Sequence, residues 1–460
     1  MPLRRIRSLF TANGGAADRP RTPIPSWLLL PGLATLLAAL VTYAQYIRNY
    51  RIWGLDLWVY QGGAQAFLDG RNAYDPAGYT HLHLPYTYPP VSLLLFTPLA
   101  QLRHDPALYV MLALSIAATF ATAWLALRML GYTGTAGRVG VSAALTGLML
   151  WCEPYQLTFN LGQVNVLLML LVIADVALPD RHRAKGVLIG VATAVKLVPG
   201  IFVLYLLLTR RLRAAAVAAG TFVVLTLVGW AAVPGGSNDY WLGGLFLHSK
   251  RVASVVGPRY VSNQSLHGMA VRLLGENTAA TIVWLLAALV VAAAGFALAV
   301  WANRSGEELV AVLTVAVTGL LLSPIAWSHH WVWIAPLLLV LLDVALRLRG
   351  RAQTLAAGLP AAVTFVFLAW PLRDIPTHPL MPRGLIWKAP NFYPNLTDRY
   401  RGILQPIMGE LYTLTALGLF ALAALWLRTL RRRGAGQPQL VAAGETRPAP
   451  VGDRERSPVS

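Results

Sequence analysis

Apolar runs of roughly 17–25 residues recur along this 460-residue chain, and they decide what it can fold into. A helical run of that length matches the hydrocarbon thickness of a lipid bilayer. Charged residues make up only 12% of the chain, whereas soluble domains carry ~25%. The sequence therefore predicts an all-α polytopic membrane protein and excludes a soluble globular enzyme.

About ten of these runs are long enough to be full membrane spans. We predict them near residues 26–46, 107–129, 140–152, 161–178, 214–233, 280–302, 308–326, 331–347, 354–371 and 408–428. Two further apolar pieces, 90–102 and 186–208, are short or broken and raise the expected number of transmembrane helices to about 10–12. The second piece is interrupted at Lys196 and Pro199, which indicates a helical hairpin that dips into the membrane.

The net charge of +19 comes largely from basic residues beside the ends of the apolar runs. In a soluble protein this charge would suggest nucleic acid, but its placement is typical of membrane topology and of attraction to anionic headgroups. We therefore predict no nucleic-acid partner, and a multi-pass protein of the plasma membrane with both termini in the cytoplasm. Residues 1–25 and 431–460 are expected to be disordered cytoplasmic tails around a membrane domain over 26–430.

This orientation places the long loops 47–89, 234–279 and 372–407 on the extracytoplasmic side. The inner loops are short and basic, so nearly all the polar chemistry falls on the outer face. The single Cys152 excludes a disulfide framework and a cysteine-based metal site. An active site is therefore expected on the extracytoplasmic side.

Asp56 is the candidate catalytic base, and it stands a few residues beyond the first span, between Leu55 and Leu57. A carboxylate among apolar residues at an interface is partly desolvated, which raises its pKa and its basicity. The alternative is structural: Asp is a preferred N-cap, and a helix is expected to start near Leu57.

Several tyrosine, amide and imidazole side chains are candidates for binding a sugar or an acceptor. They are Tyr60, Tyr88, Gln163, Asn165, Asn263, Gln264 and His267. Amides make paired hydrogen bonds to neighbouring hydroxyls, as a hexose presents them, but they also serve as polar contacts between membrane helices. Tyr88, with His81 and His83 nearby, either lines the mouth of a site or belongs to an interfacial aromatic belt.

Four basic residues are candidate ligands of a phosphate group. They are Lys196, Arg272, His329 and His330. A lysine inside the membrane needs an anionic partner or an aqueous cavity, unless its side chain reaches a headgroup. Arginine suits bidentate phosphate recognition. Adjacent histidines point in different directions and lack the third ligand of a zinc site, so we predict neither a metal site nor a cofactor.

Read in chain order, these residues form a set of short motifs. The set is an Asp after the first span, Tyr-Pro-Pro, Gly-Gln-Val-Asn, Lys-Leu-Val-Pro, Ser-Asn-Gln-Ser-Leu-His-Gly with a later Arg, and Ser-Pro-Ile-Ala-Trp-Ser-His-His-Trp. It resembles the actinobacterial polyprenyl-phosphate-mannose-dependent α-1,2-mannosyltransferases, which are membrane glycosyltransferases of the GT-C type in family 87. The resemblance runs from about residue 26 to residue 430.

This resemblance implies a GT-C fold and an inverting transfer of mannose from polyprenyl phosphate mannose, with Asp56 as general base. The acceptor would be a mannose of a phosphatidylinositol mannoside, lipomannan or lipoarabinomannan, and the new linkage would be α-1,2. Lys196, Arg272 and one of His329 or His330 would bind the donor phosphate. A lipid monophosphate lacks the diphosphate that a metal clamps, so no metal is implied. The expected partners are the donor lipid, the glycolipid acceptor and membrane lipids.

Other functions stay open at this point. The same architecture would serve the transfer of another lipid-linked sugar, such as arabinose or glucose. A flippase or transporter of lipid-linked sugars also needs polar groups beside apolar spans, but it needs a polar path to the inner face, where this chain offers only arginine clusters and short turns. A non-catalytic scaffold, in which Asp56 only caps a helix, is the third alternative.

Overall fold

The structure, a computed structural model, describes residues 22–50, 52–75, 84–252, 256–372, 381–390, 392 and 399–435. Most of the two predicted tails, 1–21 and 436–460, lies outside the described residues, as do His81 and His83. The described parts of the predicted tails have regular secondary structure: residues 22–25 include a short strand, and residues 431–435 end the last helix.

Helices make up nearly all of the regular structure, as the sequence predicts. In chain order the α-helices are α1 Leu29–Tyr50, α2 Leu55–Leu68, α3 Val91–Ala100, α4 His104–Met129, α5 Thr135–Met149, α6 Glu153–Leu161, α7 Asn165–Val176, α8 Val187–Val195, α9 Ile201–Leu208, α10 Leu212–Ala232, α11 Pro234–Ser237, α12 Ser249–Val252, α13 Leu266–Leu274, α14 Thr278–Arg304, α15 Glu308–Leu322, α16 Ile334–Arg347, α17 Arg351–Phe367, α18 Leu404–Gly409 and α19 Leu411–Ala435. Short 3₁₀ segments are Ser26–Leu28, Val198–Gly200, Leu245–Leu247, Ser328–Trp333 and Leu385–Lys388, and Asn238–Leu242 is a π-helix.

Two small strand pairs complete the described elements. The strand β1 Thr22–Pro23 pairs in parallel with β2 Tyr132–Thr133, which attaches the start of the described chain to the end of α4. The strand β3 Trp370–Leu372 pairs antiparallel with β4 Met381–Arg383.

Within the described residues, six helices are long and apolar enough to cross a membrane. They are Ser26–Tyr50, His104–Met129, Leu212–Ala232, Thr278–Arg304, Ser328–Arg347 and Leu411–Leu430. The consecutive helices α6 and α7, bent by 115°, make a seventh crossing if the pair is one span. The protein is therefore a multi-pass, all-α membrane protein, as predicted.

The number of long helices is smaller than the expected 10–12. The helices at four other predicted spans, α5, α7, α15 and α17, have 15, 12, 15 and 17 residues. A straight helix needs about 20 residues to cross the hydrocarbon core. These apolar runs are thus real helices, but turns and bends shorten them.

Glycines allow the membrane helices to pack closely. A Cβ atom on Gly32 of α1 would lie 2.0 Å from the carbonyl oxygen of Gly140 on α5. A Cβ atom on Gly295 of α14 would lie 2.1 Å from the hydroxyl of Thr318 on α15. Inside lipid, where apolar burial drives little helix association, such close backbone approach is a main source of stability.

Two breaks in helices lie at the places where the sequence puts polar residues among apolar ones. The bend between α6 and α7 passes through Gly162, whose φ of 68° is in the left-handed region that favours glycine. The predicted break in 186–208 is also present, because Lys196 ends α8 in an extended conformation and Pro199 lies in the next short helix. Non-helical backbone at membrane depth is tolerated where it faces protein or a wet cavity.

Candidate active site

Asp56 lies in the first turn of α2, and the start of this helix is attached to the end of α6. Gly54 is the N-cap residue, with a left-handed φ of 66°. Its N–H donates to the carbonyl of Asn160 (2.7 Å), and the Trp53 N–H donates to the Asn160 side chain (3.1 Å). Because Gly54 is the cap, Asp56 does not cap the helix, and its carboxylate instead accepts a hydrogen bond from Gln163.

The Gln163 side chain connects the α6–α7 bend to α2. Its Nε2 donates to Asp56 Oδ2 (2.9 Å) and to the Tyr88 hydroxyl (3.1 Å). Its Oε1 accepts from the Val164 N–H (2.9 Å) and from the Tyr60 hydroxyl (2.7 Å). Both N–H groups and both lone pairs of the amide are therefore used within the protein, which leaves none for a sugar.

Tyr60 and Tyr88, which we predicted as sugar or acceptor ligands, face each other behind Asp56. Their hydroxyl oxygens are 3.0 Å apart, and their rings meet edge to face at a centroid distance of 5.1 Å. Tyr60 also stacks on Phe96 of α3 at 4.3 Å. Both tyrosines are buried, so in the described structure they support Asp56 from inside the protein.

The environment of Asp56 makes its carboxyl group a stronger base than an ordinary aspartate. Loss of solvent raises its pKa, and the positive charge of Lys196 and the hydrogen bond from Gln163 offset part of this rise, so the pKa is about 6, compared with the usual 3.8. The helix that carries Asp56 is not among the candidate membrane spans. A pKa near the working pH is what a general base requires.

Lys196 brings a positive charge to the same region. Its Nζ donates to the side-chain oxygen of Asn165 (2.9 Å) and lies 5.3 Å from the centre of the Tyr88 ring. Among the described residues, Asn165 is the one that accepts a hydrogen bond from this ammonium group. The Asn165 amide nitrogen donates to the carbonyl of His329 (3.3 Å), so Asn165 holds the lysine against the segment that contains the two histidines.

His329 and His330 point in different directions, as predicted for neighbours. Their rings are 4.7 Å apart and nearly perpendicular, at 89°. His330 lines a cavity together with Lys196 and Asn165. His329 is only 5% exposed, and neither of its ring nitrogens has a hydrogen-bond partner among the described residues.

The cavity beside Lys196 is lined by a few polar residues and many apolar ones. Its polar lining residues are Lys196, Asn165 and His330. Its other walls come from α7, α9 and α15, and they include Leu168, Val172, Ile201, Phe202 and Leu320. Such a cavity fits a ligand with a charged head and a hydrocarbon tail.

Arg272, a predicted phosphate ligand, is not among the residues that line the cavity beside Lys196. Its guanidinium lies on α13, is fully buried and makes two hydrogen bonds to Glu410, of 2.7 and 2.5 Å. Its third nitrogen donates to backbone carbonyls, including that of Asn263 (2.9 Å). Arg272, which we predicted to bind a phosphate, is already paired with the carboxylate of Glu410.

The predicted acceptor ligands of the loop before α13 are also used by the protein. Asn263 donates to the carbonyls of Pro258 and Pro324, at 2.9 and 3.1 Å. Gln264 donates to the carbonyl of Gly409 (2.6 Å), and His267 Nδ1 donates to that of Pro324 (3.1 Å). Asn263 and His267 hold this region against the segment before Ser328, Gln264 holds it against the end of α18, and Asn263 and Gln264 are fully buried.

Comparisons with known proteins decide the family of this chain. The model of glycosyltransferase family 87 matches residues 86–324, just over half of the chain. A curated polyprenol-phosphate-mannose-dependent alpha-(1-2)-phosphatidylinositol mannoside mannosyltransferase of Mycobacterium tuberculosis (strain ATCC 25618 / H37Rv) is 33% identical over 371 residues, which cover 76% of this chain and 84% of that protein. The chain belongs to glycosyltransferase family 87.

A second relative of this family 87 glycosyltransferase has a related name. It is the polyprenol-phosphate-mannose-dependent alpha-(1-2)-phosphatidylinositol pentamannoside mannosyltransferase of Mycolicibacterium smegmatis (strain ATCC 700084 / mc(2)155), 33% identical over 378 residues that cover 80% of this chain and 89% of that protein. No solved structure matches the chain.

One buried carboxylate of the family 87 chain was missed in the sequence. Glu153, at the start of α6, accepts hydrogen bonds from Ser328 (2.7 Å), Trp387 (3.0 Å) and Tyr412 (2.8 Å). An acidic residue between the apolar end of a predicted span and Pro154 is the signal that would have found it. Glu153 therefore joins the histidine segment to the short helix Leu385–Lys388 and to α19.

The described side chains offer general acid–base and electrostatic chemistry. Among them there is no group of three or more His, Cys, Asp or Glu residues arranged to hold a metal ion. What the site provides is one carboxylate with a raised pKa, one ammonium group and one imidazole beside an apolar cavity.

Proposed function

We propose that this glycosyltransferase transfers mannose from polyprenyl phosphate mannose to a mannosyl acceptor, with inversion and formation of an α-1,2 linkage. Relatives with that donor in their names are 33% identical to the chain over most of its length. The observation that carries the proposal is a carboxylate with a raised pKa, Asp56, whose charge interacts with that of Lys196, a residue that lines a mainly apolar cavity.

The cavity matches the chemistry of the donor. Its apolar walls suit a polyprenyl chain, and its lining residues Lys196 and His330 are the groups that would bind the phosphate of such a lipid. As the bond between the sugar and the phosphate breaks, negative charge develops on the leaving phosphate. Fixed donors in a site with little water stabilise that charge, and this accelerates the reaction.

Asp56 is the group that would activate the acceptor. Its carboxylate takes the proton of the acceptor hydroxyl while that oxygen attacks the anomeric carbon from the face opposite the phosphate. The new carbon–oxygen bond forms as the bond to the phosphate oxygen breaks, and the electron pair leaves with the phosphate. One displacement turns a β-linked donor into an α-linked product and requires no covalent sugar–enzyme intermediate.

For the acceptor and the location we propose a phosphatidylinositol mannoside or a related lipomannan, modified on the extracytoplasmic side of the plasma membrane. The names of the relatives support the acceptor class. The arginine-rich short loops support an orientation with both termini in the cytoplasm.

The central test is Asp56→Asn in the purified full-length protein, supplied with polyprenyl phosphate mannose and defined phosphatidylinositol mannosides. The substitution keeps the size of the side chain but removes the base, and we expect the transfer rate to fall by about 10²–10⁴-fold. Asp69→Asn is a matched control, because Asp69 lies at the other end of α2, on the surface, where it pairs with Arg71. An Asp56→Asn protein that transfers mannose at the parental rate contradicts the mechanism.

The identity of the donor sugar is tested in the same preparation. Polyprenyl phosphates that carry mannose, arabinose or glucose are supplied separately, and the lipid products are analysed by mass spectrometry. We expect transfer of mannose. Transfer of arabinose or glucose without mannose would replace this proposal by the other sugar within the same family.

A further inference from the structure

Gln163 is a polar residue of the site that has no role of its own in the proposed transfer reaction, although it donates a hydrogen bond to Asp56. It is 3% exposed, and one of its amide N–H groups points at Asp56 while its other polar contacts are with the protein behind it. We propose that Gln163 is a positioning residue that holds the Asp56 carboxylate in one orientation and in its ionised form. This inference rests on the proposed function, because it takes Asp56 to be the base.

The orientation of the amide is determined by the backbone. Its Oε1 accepts from the N–H of Val164, the next residue in the chain, and from the hydroxyl of Tyr60. A reversed amide would place its NH₂ group against the Val164 N–H and its oxygen against the carboxylate of Asp56. Both contacts would be repulsive. An N–H donor is therefore always directed at Asp56 Oδ2.

The two tyrosines strengthen this arrangement. Because the Tyr60 proton is donated to Gln163, the contact of 3.0 Å between the hydroxyls uses the proton of Tyr88. The Tyr88 oxygen in turn accepts from Gln163 Nε2. Each of the three groups thus donates to the next in a closed ring, and such chains of hydrogen bonds polarise and reinforce one another.

The charges near Asp56 define what the loss of Gln163 does. The titratable groups that face Asp56 or pack on its helix include Lys196, Tyr60, Tyr88, His104 and Tyr86, which packs against Gly63 and whose hydroxyl bonds to Ser92. His104 bonds to Gln61 and to a backbone carbonyl, so it is engaged away from the carboxylate. Lys196 and Gln163 are the two groups that favour the ionised form of Asp56. Without Gln163 the lysine alone opposes protonation.

The test is a titration of the Asp56 carboxyl group by infrared difference spectroscopy on the full-length protein in nanodiscs. The band that disappears in Asp56→Asn identifies the residue. We expect a protonation midpoint near pH 6 in the parent, following the raised pKa of Asp56. In Gln163→Met the midpoint should rise by about one pH unit, since a hydrogen bond to a charged group contributes about that much. The acid limb of the transfer rate should move by the same amount.

Gln156→Met is the matched control. Gln156 is buried on α6, and its amide nitrogen has no partner among the described residues, so the same substitution should leave the midpoint where it is. Tyr60→Phe is the second variant: it keeps Gln163 but removes one group that orients the amide, and it should raise the midpoint by a smaller amount.

The outcomes separate this inference from the proposed function. An unchanged midpoint in folded Gln163→Met, or an equal rise in Gln156→Met, overturns the positioning role. If the Gln163→Met protein is unfolded, an unchanged midpoint in Tyr60→Phe overturns it. A raised midpoint in Gln163→Met supports the role even when the parent transfers no mannose, and in that case the function alone is contradicted.

Discussion

A partly buried carboxylate acts as a base only when its ionised form is stabilised against the loss of water. For Asp56 the described structure provides this through one cation, Lys196, and one fixed amide, Gln163, with two tyrosines behind the amide. The sequence indicated Asp56 itself, because an acidic residue among tryptophans and leucines is conspicuous. The sequence indicated Gln163 as a sugar ligand but not its bond to Asp56, since the two residues lie 107 positions apart along the chain.

At this scale we predict a pH dependence of transfer. The base must be deprotonated, and burial raises the pKa of Asp56 to about 6, so activity should be present above that pH and be lost as the pH falls through it. Below the midpoint the rate should drop about tenfold for each pH unit. The measurement is kcat/KM for the acceptor against pH, and a flat profile across the midpoint would contradict the role of Asp56.

At the scale of elements, the site is made by breaks in helices. The bend at Gly162 brings Gln163 to α2, and the break at the end of α8 brings the Lys196 ammonium group to Asn165. The apolar pattern and Pro199 predicted the break at Lys196. The ends of the long spans near 214–233 and 280–302 were predicted to within two residues. The bend itself was not predicted, because an apolar run with one glycine also suits a straight helix.

We expect Gly162→Ala to disturb the site through this bend. A Cβ atom there would lie 2.8 Å from Cβ of Leu57 on α2, at a left-handed φ of 68°. The free energy of unfolding should fall by about 1–3 kcal/mol, and transfer should fall more than stability explains, since Gln163 is the next residue. Thermal melting and the transfer assay measure the two effects.

Gly220→Ala provides the comparison for that variant. Gly220 lies within α10, and a Cβ atom at this position would meet no atom within 4 Å. Because alanine favours a helix over glycine by about 1 kcal/mol, this substitution should leave the protein as stable or slightly more stable, with unchanged transfer. Equal losses in both variants would mean that the bend has no special part in the site.

At the scale of the whole molecule, long-range polar contacts join α13 and the loop before it to the start of the last helix. Arg272 bonds to Glu410, and the Gln264 side chain accepts from the N–H of Tyr412 (3.2 Å). These partners are 138 and 148 positions apart, and no local pattern reports such pairings. This is why we predicted Arg272 and Gln264 for ligands, although the structure uses them to connect the loop before α13 to α19.

The orientation in the membrane is a prediction at this same scale. Asp69, which follows α2, and Arg349, which follows α16, are both exposed. We predict that these two residues lie on opposite sides of the membrane. A cysteine at Asp69 should react with a membrane-impermeant maleimide in intact cells, whereas one at Arg349 should react only after permeabilisation, because the arginine-rich loops face the cytoplasm. The parent serves as the unlabelled control, since Cys152 is buried. The reverse labelling pattern would contradict an extracytoplasmic site.

The carboxylate of Glu153 has a consequence for chimeric enzymes. It accepts hydrogen bonds from Ser328, beside the two histidines, from Trp387 of the loop before α18 and from Tyr412 of α19. When this loop is taken from a relative, another residue can stand at the place of Trp387, and an apolar one leaves Glu153 with one donor fewer in a buried site. Loop exchanges between relatives should therefore succeed when the incoming loop supplies an N–H or O–H group at that place.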